Sequence, residues 1–325
     1  MSESSDYEPG IWGGHDFGKA RKAFDISAGR SYSAAKASKK SHRDLVPDEI
    51  TTQSRTPLVI LCDVTGSMGK WPATIFSKLP YLDHELKTEY LGEDMEICFG
   101  AIGDANGDDY PLQMRQFVKG IEMKKALEEL VIEGRGGGQL SETYELGALY
   151  CARKISMPRA IMKPVLIMIG DEKPYSYISP DQAEEFAKVK LERQLPAEVV
   201  FKELQKKFSV YLIRKPYEEN LRNSISSLDK EIYGAWKDLL GASRIKDLSD
   251  PQRVVDVIFG ILAIETQKVD YFKKEIEERQ KPDQVEAVYR SLEINKIVPP
   301  NPPMLPSGQS VIRKKSDGKD AKPLI

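Results

Sequence analysis

The sequence is short of the residues on which several classes of function depend. Only three cysteines and three histidines occur in 325 residues. Cys62 and Cys98 sit inside apolar strand-like runs and Cys151 in a helical pattern, so they read as reduced, buried small side chains and not as a disulfide framework. His15, His42 and His84 are the whole supply of imidazole. None lies at a strand end of the core, which leaves a histidine-based catalytic apparatus without its base. Charge of one sign is lacking too, with 48 basic residues against 50 acidic ones and a net charge of −2. That balance removes the global field a dedicated nucleic-acid or membrane-surface binder uses. No run approaches the roughly 18 apolar residues of a membrane span, and the stretch from Met1 to Asp16 has no apolar leader segment. A cytoplasmic protein is expected.

What is present is enough apolar material, 40% of residues, for a substantial core. Residues 1–55 are poor in large apolar side chains and rich in Gly, Ser, Ala and Lys, and read as a flexible basic arm around Lys36, Lys39, Lys40, His42 and Arg43. No aromatic residues interleave there to stack on bases, so nucleic acid is not the expected partner. From Pro57 the texture changes. Leu58-Val59-Ile60-Leu61-Cys62 is a short continuous apolar run, as in a strand buried on both faces. The same texture returns at Ile97–Ile102, Val165–Ile169 and Val210–Ile213.

Helical patterns lie between these runs, at Thr74–Leu86, Ile121–Ile132 and Glu142–Ile155, with one or two more in Pro180–Gln205. A further helix opens after Ser249-Asp250-Pro251, where Asp or Ser caps and proline suits the first turn. Such alternation predicts a Rossmann-like, doubly wound α/β domain over 56–266, with a mainly parallel sheet and helices on both faces. Two amphipathic stretches over 267–296, separated near Lys281-Pro282, predict a helical extension that covers the domain's own surface. Residues 297–325 turn proline-rich, then basic and polar, as in a disordered tail.

Directly after the first apolar run comes Asp63-Val64-Thr65-Gly66-Ser67-Met68-Gly69. It places a carboxylate at a strand's C-terminal end and two hydroxyls on the next loop, all hard oxygen ligands of the kind Mg²⁺ takes. In an open parallel sheet, ligands bind in the crevice outside those strand ends. Two other segments converge on the same edge. Gly134-Arg135-Gly136-Gly137-Gly138-Gln139 allows close backbone approach and leads to Ser141 and Thr143 at the start of a helix. The third strand ends in Gly170-Asp171-Glu172, a second strand-terminal carboxylate.

This order of D-V-T-G-S-M, glycine loop with hydroxyls before a helix, and apolar strand ending in Asp resembles the von Willebrand factor type A domain with its metal-ion-dependent adhesion site. The family pattern is D-x-S-x-S with a later Thr and a later Asp, and here Thr65 replaces the first Ser while keeping the hydroxyl. The resemblance covers about residues 56–266 and implies that Thr65 and Ser67 bind a cation directly, with Asp63 and Asp171 holding it mainly through water. In the third motif Gln139-Leu140 intervene between the glycines and the hydroxyl, so that ligand is either Thr143, which the Ala148-Leu149 pair favours by its spacing, or Ser141. The implied cation is Mg²⁺, with Mn²⁺ or Ca²⁺ as alternatives. Its open position would take an Asp or Glu side chain of a partner protein. I-G-D-A, G-G-G-Q and I-G-D-E look closest to bacterial and phage intracellular members, which often occur beside AAA+ ATPases, so such an ATPase or its client is the expected partner.

Rival readings meet particular obstacles. Gly66-Ser67-Met68-Gly69-Lys70 is too short for a phosphate loop, and Trp71 stands where Ser or Thr would follow the Lys. Ser67 lacks the G-x-S-x-G elbow. A haloacid-dehalogenase-type phosphatase would need a second Asp at the position of Thr65, which leaves Mg²⁺-dependent phosphoryl transfer as the enzyme alternative to a non-enzymatic binding module. A metal-independent scaffold is the other alternative. Asp104-Ala105-Asn106-Gly107-Asp108-Asp109 begins like a calcium loop but has Asp109 where Gly is needed. It reads as a polar loop beside the crevice. Arg135, Tyr144, Glu172 and Tyr175 are either further contributors to that crevice or plain surface residues.

Overall fold

The structure, a computed structural model, describes residues 41–133, 140–217 and 225–294. The basic stretch at 36–40, the glycine loop with Arg135, and the proline-rich tail lie outside the described residues.

Six strands form one sheet: β1 (Leu58–Asp63), β2 (Ile97–Ile102), β3 (Leu112–Met114), β4 (Val165–Gly170), β5 (Ser209–Arg214) and β6 (Ile245–Asp247). Their spatial order is β6-β5-β4-β1-β2-β3. Every pairing is parallel except β2 with β3, which is antiparallel. All residues of β1, β2, β4 and β5 are buried, as their unbroken apolar character requires. The short strands β3 and β6 do not stand out as apolar runs, and their existence depends on pairing with longer neighbours.

The longer helices are α1 (Trp71–Lys78), α2 (Glu122–Glu128), α3 (Tyr144–Lys154), α4 (Pro180–Ala187), α5 (Ala197–Lys207), α6 (Ile225–Leu240), α7 (Val254–Glu265), α8 (Val269–Arg279) and α9 (Pro282–Leu292). Local chemistry sets their starts. Ser179 accepts from the Gln182 amide ahead of Pro180, and Asp250 accepts from the Gln252 amide ahead of Pro251.

Alternation along β1 divides the core into two layers. Leu58, Ile60 and Cys62 join a cluster with Phe76, Phe259, Phe272 and Leu292 on one face of the sheet. Val59 and Leu61 join another with Tyr144, Leu149, Phe201 and Trp236 on the opposite face. Helices therefore cover both faces. The α8–α9 hairpin packs its apolar stripe onto α7, and a Cβ added at Gly260 would stand 2.0 Å from the Leu292 Cδ1. Among the described residues no helix is long and apolar enough to cross a membrane.

The stretch 41–55, read above as part of a flexible arm, is anchored. Leu45 is buried with Tyr110 and Val131, and Ile50 and Thr51 pair in parallel with Ile155 and Ser156. Its few large apolar residues, Leu45, Val46 and Ile50, are all buried, and composition averaged over 1–55 hides them.

Candidate metal centre

All five parallel strands point their carboxyl ends to one edge, and the crevice there collects the polar residues that follow four of them. Asp63 is the last residue of β1 and shares the sheet face of Val59 and Leu61. It therefore meets α3, where the Tyr144 hydroxyl donates to Asp63 Oδ2 at 2.5 Å. Asp63 Oδ1 accepts from the Thr65 amide at 2.9 Å and from the Thr65 hydroxyl at 2.6 Å. Thr65 Oγ1 stands 3.1 Å from Ser67 Oγ, and Ser67 Oγ donates to Asp171 Oδ1 at 2.9 Å, across 104 positions of sequence. Asp63, Thr65, Ser67 and Asp171 thus form one continuous line of polar contacts, with two hydroxyl oxygens facing each other between two carboxylates. Asp63, Thr65 and Asp171 are almost wholly buried.

The hydroxyl expected from the third motif is placed differently. Thr143 precedes the first turn of α3, and its hydroxyl donates to the Gly103 carbonyl at 2.5 Å, tying α3 to the end of β2. It does not join the chain of contacts around Asp63. Ser141 lies on a two-residue strand, Ser141–Glu142, that pairs in parallel with Lys173–Pro174. The Thr143 hydroxyl is thus engaged at the end of β2, and Ser141 lies on the short strand next to the end of β4.

Several contributors come from elements that the sequence pattern left in the background. Lys215, one residue beyond β5, donates to the Ser67 carbonyl at 2.6 Å and to Asp171 Oδ2 at 3.0 Å, with its ammonium 5.9 Å from the centre of the Trp71 ring. Trp236 on α6 donates its indole N–H to the Glu172 carbonyl at 2.7 Å and meets the Tyr144 ring edge-on at 5.1 Å. The spacing Leu228, Ile232, Trp236, Leu239 is the sequence signal for that helix. Gly170 is required here because a Cβ would lie 1.9 Å from the Tyr144 hydroxyl. Of the four uncertain contributors, Tyr144 touches Asp63, Tyr175 donates to Asp104 at 3.0 Å, and Glu172 accepts from Tyr217 at 3.2 Å. The Asp104–Asp109 loop does line the crevice, with Asp104 Oδ1 also accepting from the Asn106 amide.

The electrostatics of the crevice are those of crowded carboxylates. Burial pushes the Asp63 carboxyl up, with Asp171 adding to the rise, while the bonds from Thr65 and Tyr144 oppose it. Burial and then Asp171 push Glu172 up to about 8. Glu142 is raised for the same reason, burial first and then Asp63. One oxygen each of Glu142 and Glu172, Oε2 in both, is buried without a hydrogen-bond partner. A small hard cation fits such a donor set: hydroxyls and carboxylate oxygens in contact, with orphaned carboxylate oxygens beside them. Among the described residues no group of three or more His, Cys, Asp or Glu is arranged to hold a metal ion. Binding would accordingly draw on the hydroxyls of Thr65 and Ser67 as well as on carboxylate oxygens.

No protein-family model matches the chain, and no curated protein does. Among solved structures, two crystal structures of the pilus adhesin SpaC from Lactobacillus rhamnosus GG, one of them in an open conformation, are similar, with TM-scores of 0.46 and 0.43 and sequence identities of 9% and 10%. Each match covers 70% of this chain, and 31% and 32% of the adhesin. This chain therefore spans about a third of the adhesin's length, and likeness of that degree carries no statement about its function.

Proposed function

We propose that residues 56–266 form a Rossmann-like domain of the von Willebrand factor type A kind, acting as a divalent-cation-dependent protein-binding module and not as an enzyme. The observation that carries the reading is the contact of Ser67 with Asp171, which joins the loop after β1 to the end of β4 beside the Asp63–Thr65 pair. Thr65 and Ser67 would hold Mg²⁺ or Mn²⁺ directly, with Asp63 and Asp171 chiefly through water. When bound, the cation would supply a fixed positive centre for an Asp or Glu side chain of a partner protein. The motif wording points to bacterial and phage intracellular relatives, and to an AAA+ ATPase or its client as that partner.

Replacing both Asp63 and Asp171 by Ala is expected to abolish Mg²⁺ and Mn²⁺ binding in calorimetry while the circular dichroism spectrum stays that of the parent. Unchanged cation affinity would sink the proposal. A second reading, a metal-independent scaffold, is favoured by one observation. The Lys215 ammonium already brings positive charge to Asp171 and to the Ser67 carbonyl. Capture of a partner equally well with and without EDTA would favour that reading.

A further inference from the structure

Resting on the metal-dependent reading above, we infer that Glu142, and neither Thr143 nor Ser141, supplies the third protein ligand of the cation, so that this arm of the site is a carboxylate. Thr143 has its hydroxyl committed to the Gly103 carbonyl at 2.5 Å, and the Pro111 carbonyl is the next acceptor at 3.4 Å. Glu142, one residue earlier, is 3% exposed, and its Oε2 has no partner among the described residues. After burial itself, the strongest influences on it come from acidic groups: Asp63 first, then Glu172, Asp104 and Asp108. A carboxylate oxygen buried among carboxylates is strongly unfavourable unless a proton or a cation offsets it.

The backbone explains why Glu142 and not its neighbours is presented this way. Residues Ser141–Glu142 are extended and pair with Lys173–Pro174, next to the Asp171-Glu172 end of β4. Successive side chains of an extended segment point to opposite sides. Ser141 is partly exposed whereas Glu142 is buried, so the buried side of this strand is the side of the acidic crevice. Thr143 then turns into α3 with its hydroxyl on the β2 end.

The alternative occupant is a proton, and substitution separates the two. In the full-length chain, Glu142→Gln keeps the size of the side chain and removes its charge. Titration calorimetry with MnCl₂ and with MgCl₂ is expected to show at least a tenfold loss of affinity, with no fall in melting temperature in EDTA. Glu142→Asp, which keeps the charge on a shorter arm, is expected to lose affinity by severalfold and serves if the glutamine variant does not fold. Affinity within twofold of the parent in the folded variants, together with loss of binding in Asp63→Asn, would overturn the Glu142 assignment and leave the metal-dependent reading standing. A parent chain that binds neither cation overturns both.

Discussion

The crevice at the strand ends and the layer under the α8–α9 hairpin are both buried, but they are filled by opposite means. In the hairpin layer Phe259, Phe272, Ile276, Val288 and Leu292 make an apolar contact in which Tyr90 stacks on Phe259 at 5.6 Å. At the crevice, Asp63, Glu142, Asp171 and Glu172 are packed to nearly the same exclusion of water, and two carboxylate oxygens have no partner. One region holds the chain folded by burying apolar surface, and the other keeps charge buried at a cost that only a counter-ion or proton relieves. The difference separates stability from binding, so substitutions in the two regions should have separable consequences.

The largest effect is expected in the apolar layer. Phe259→Ala should cost about 3–5 kcal/mol, the range for truncating a buried aromatic ring, read as a lower urea midpoint. Affinity for Mg²⁺ or Mn²⁺ should stay within twofold of the parent. Loss of cation binding in the folded variant would show that the two regions are coupled.

Gly170→Ala tests the crevice by the same kind of packing argument. The added methyl would collide with the Tyr144 hydroxyl, a collision that moves either β4 or the ring that holds Asp63. A cost of about 1–3 kcal/mol is typical of overpacking. Here, unlike at Phe259, cation affinity should fall as well, by tenfold or more, because Asp63 loses its orienting donor.

A smaller effect concerns Glu133, a buried residue that accepts from the Asp109 and Tyr110 amides at 2.9 Å each and so fixes the loop beside the crevice. Burial, helped by Asp108, pushes its carboxyl up to about 7 despite those two donors. The folded protein thus binds a proton that the unfolded chain releases near pH 4–5, so stability should decline as pH rises from about 4.5 through 7 and level off above. The expected decline attributable to this group is about 1–2 kcal/mol, less than the full shift implies, since the loop relaxes when the group ionises. Denaturant midpoints across that range should lose that part of their slope in Glu133→Gln. An unchanged slope would assign the dependence to other groups.

How much of this was legible in the sequence differs between the same two regions. The long strands of the sheet were legible because a strand buried on both faces has no polar positions to interrupt it, and β1, β2, β4 and β5 fall within a residue or two of where their apolar runs place them. The hairpin was legible from the spacing of Phe272, Ile276, Val285, Val288 and Leu292. Strands β3 and β6 were not, because three-residue edge strands take their conformation from a neighbour and carry little pattern of their own. At the crevice, the gathering of Asp63, Thr65, Ser67 and Asp171 at one edge was legible because strand ends in a parallel sheet share that edge. Lys215 and Trp236 were not, since only the fold shows that β5 lies beside β4 and that α6 reaches Glu172.

Thr143 is where local spacing and tertiary geometry part, and it gives the smallest effect with the sharpest meaning. Its distance from the Ala148-Leu149 pair is what singles it out in the sequence as a candidate ligand. Its hydroxyl instead satisfies the carbonyl of Gly103, at the point where the backbone leaves β2 and can no longer pair within the sheet. Thr143→Val keeps the shape and removes the donor, leaving a buried carbonyl with only the Thr143 amide, at 3.1 Å. A cost of about 1 kcal/mol is expected from one net hydrogen bond, read from the urea midpoint. Cation affinity should stay within twofold of the parent, because the hydroxyl faces the β2 end and not Asp63. A tenfold loss of Mn²⁺ affinity at unchanged fold would return Thr143 to the ligand set and make its contact with Gly103 a feature of the metal-free state alone.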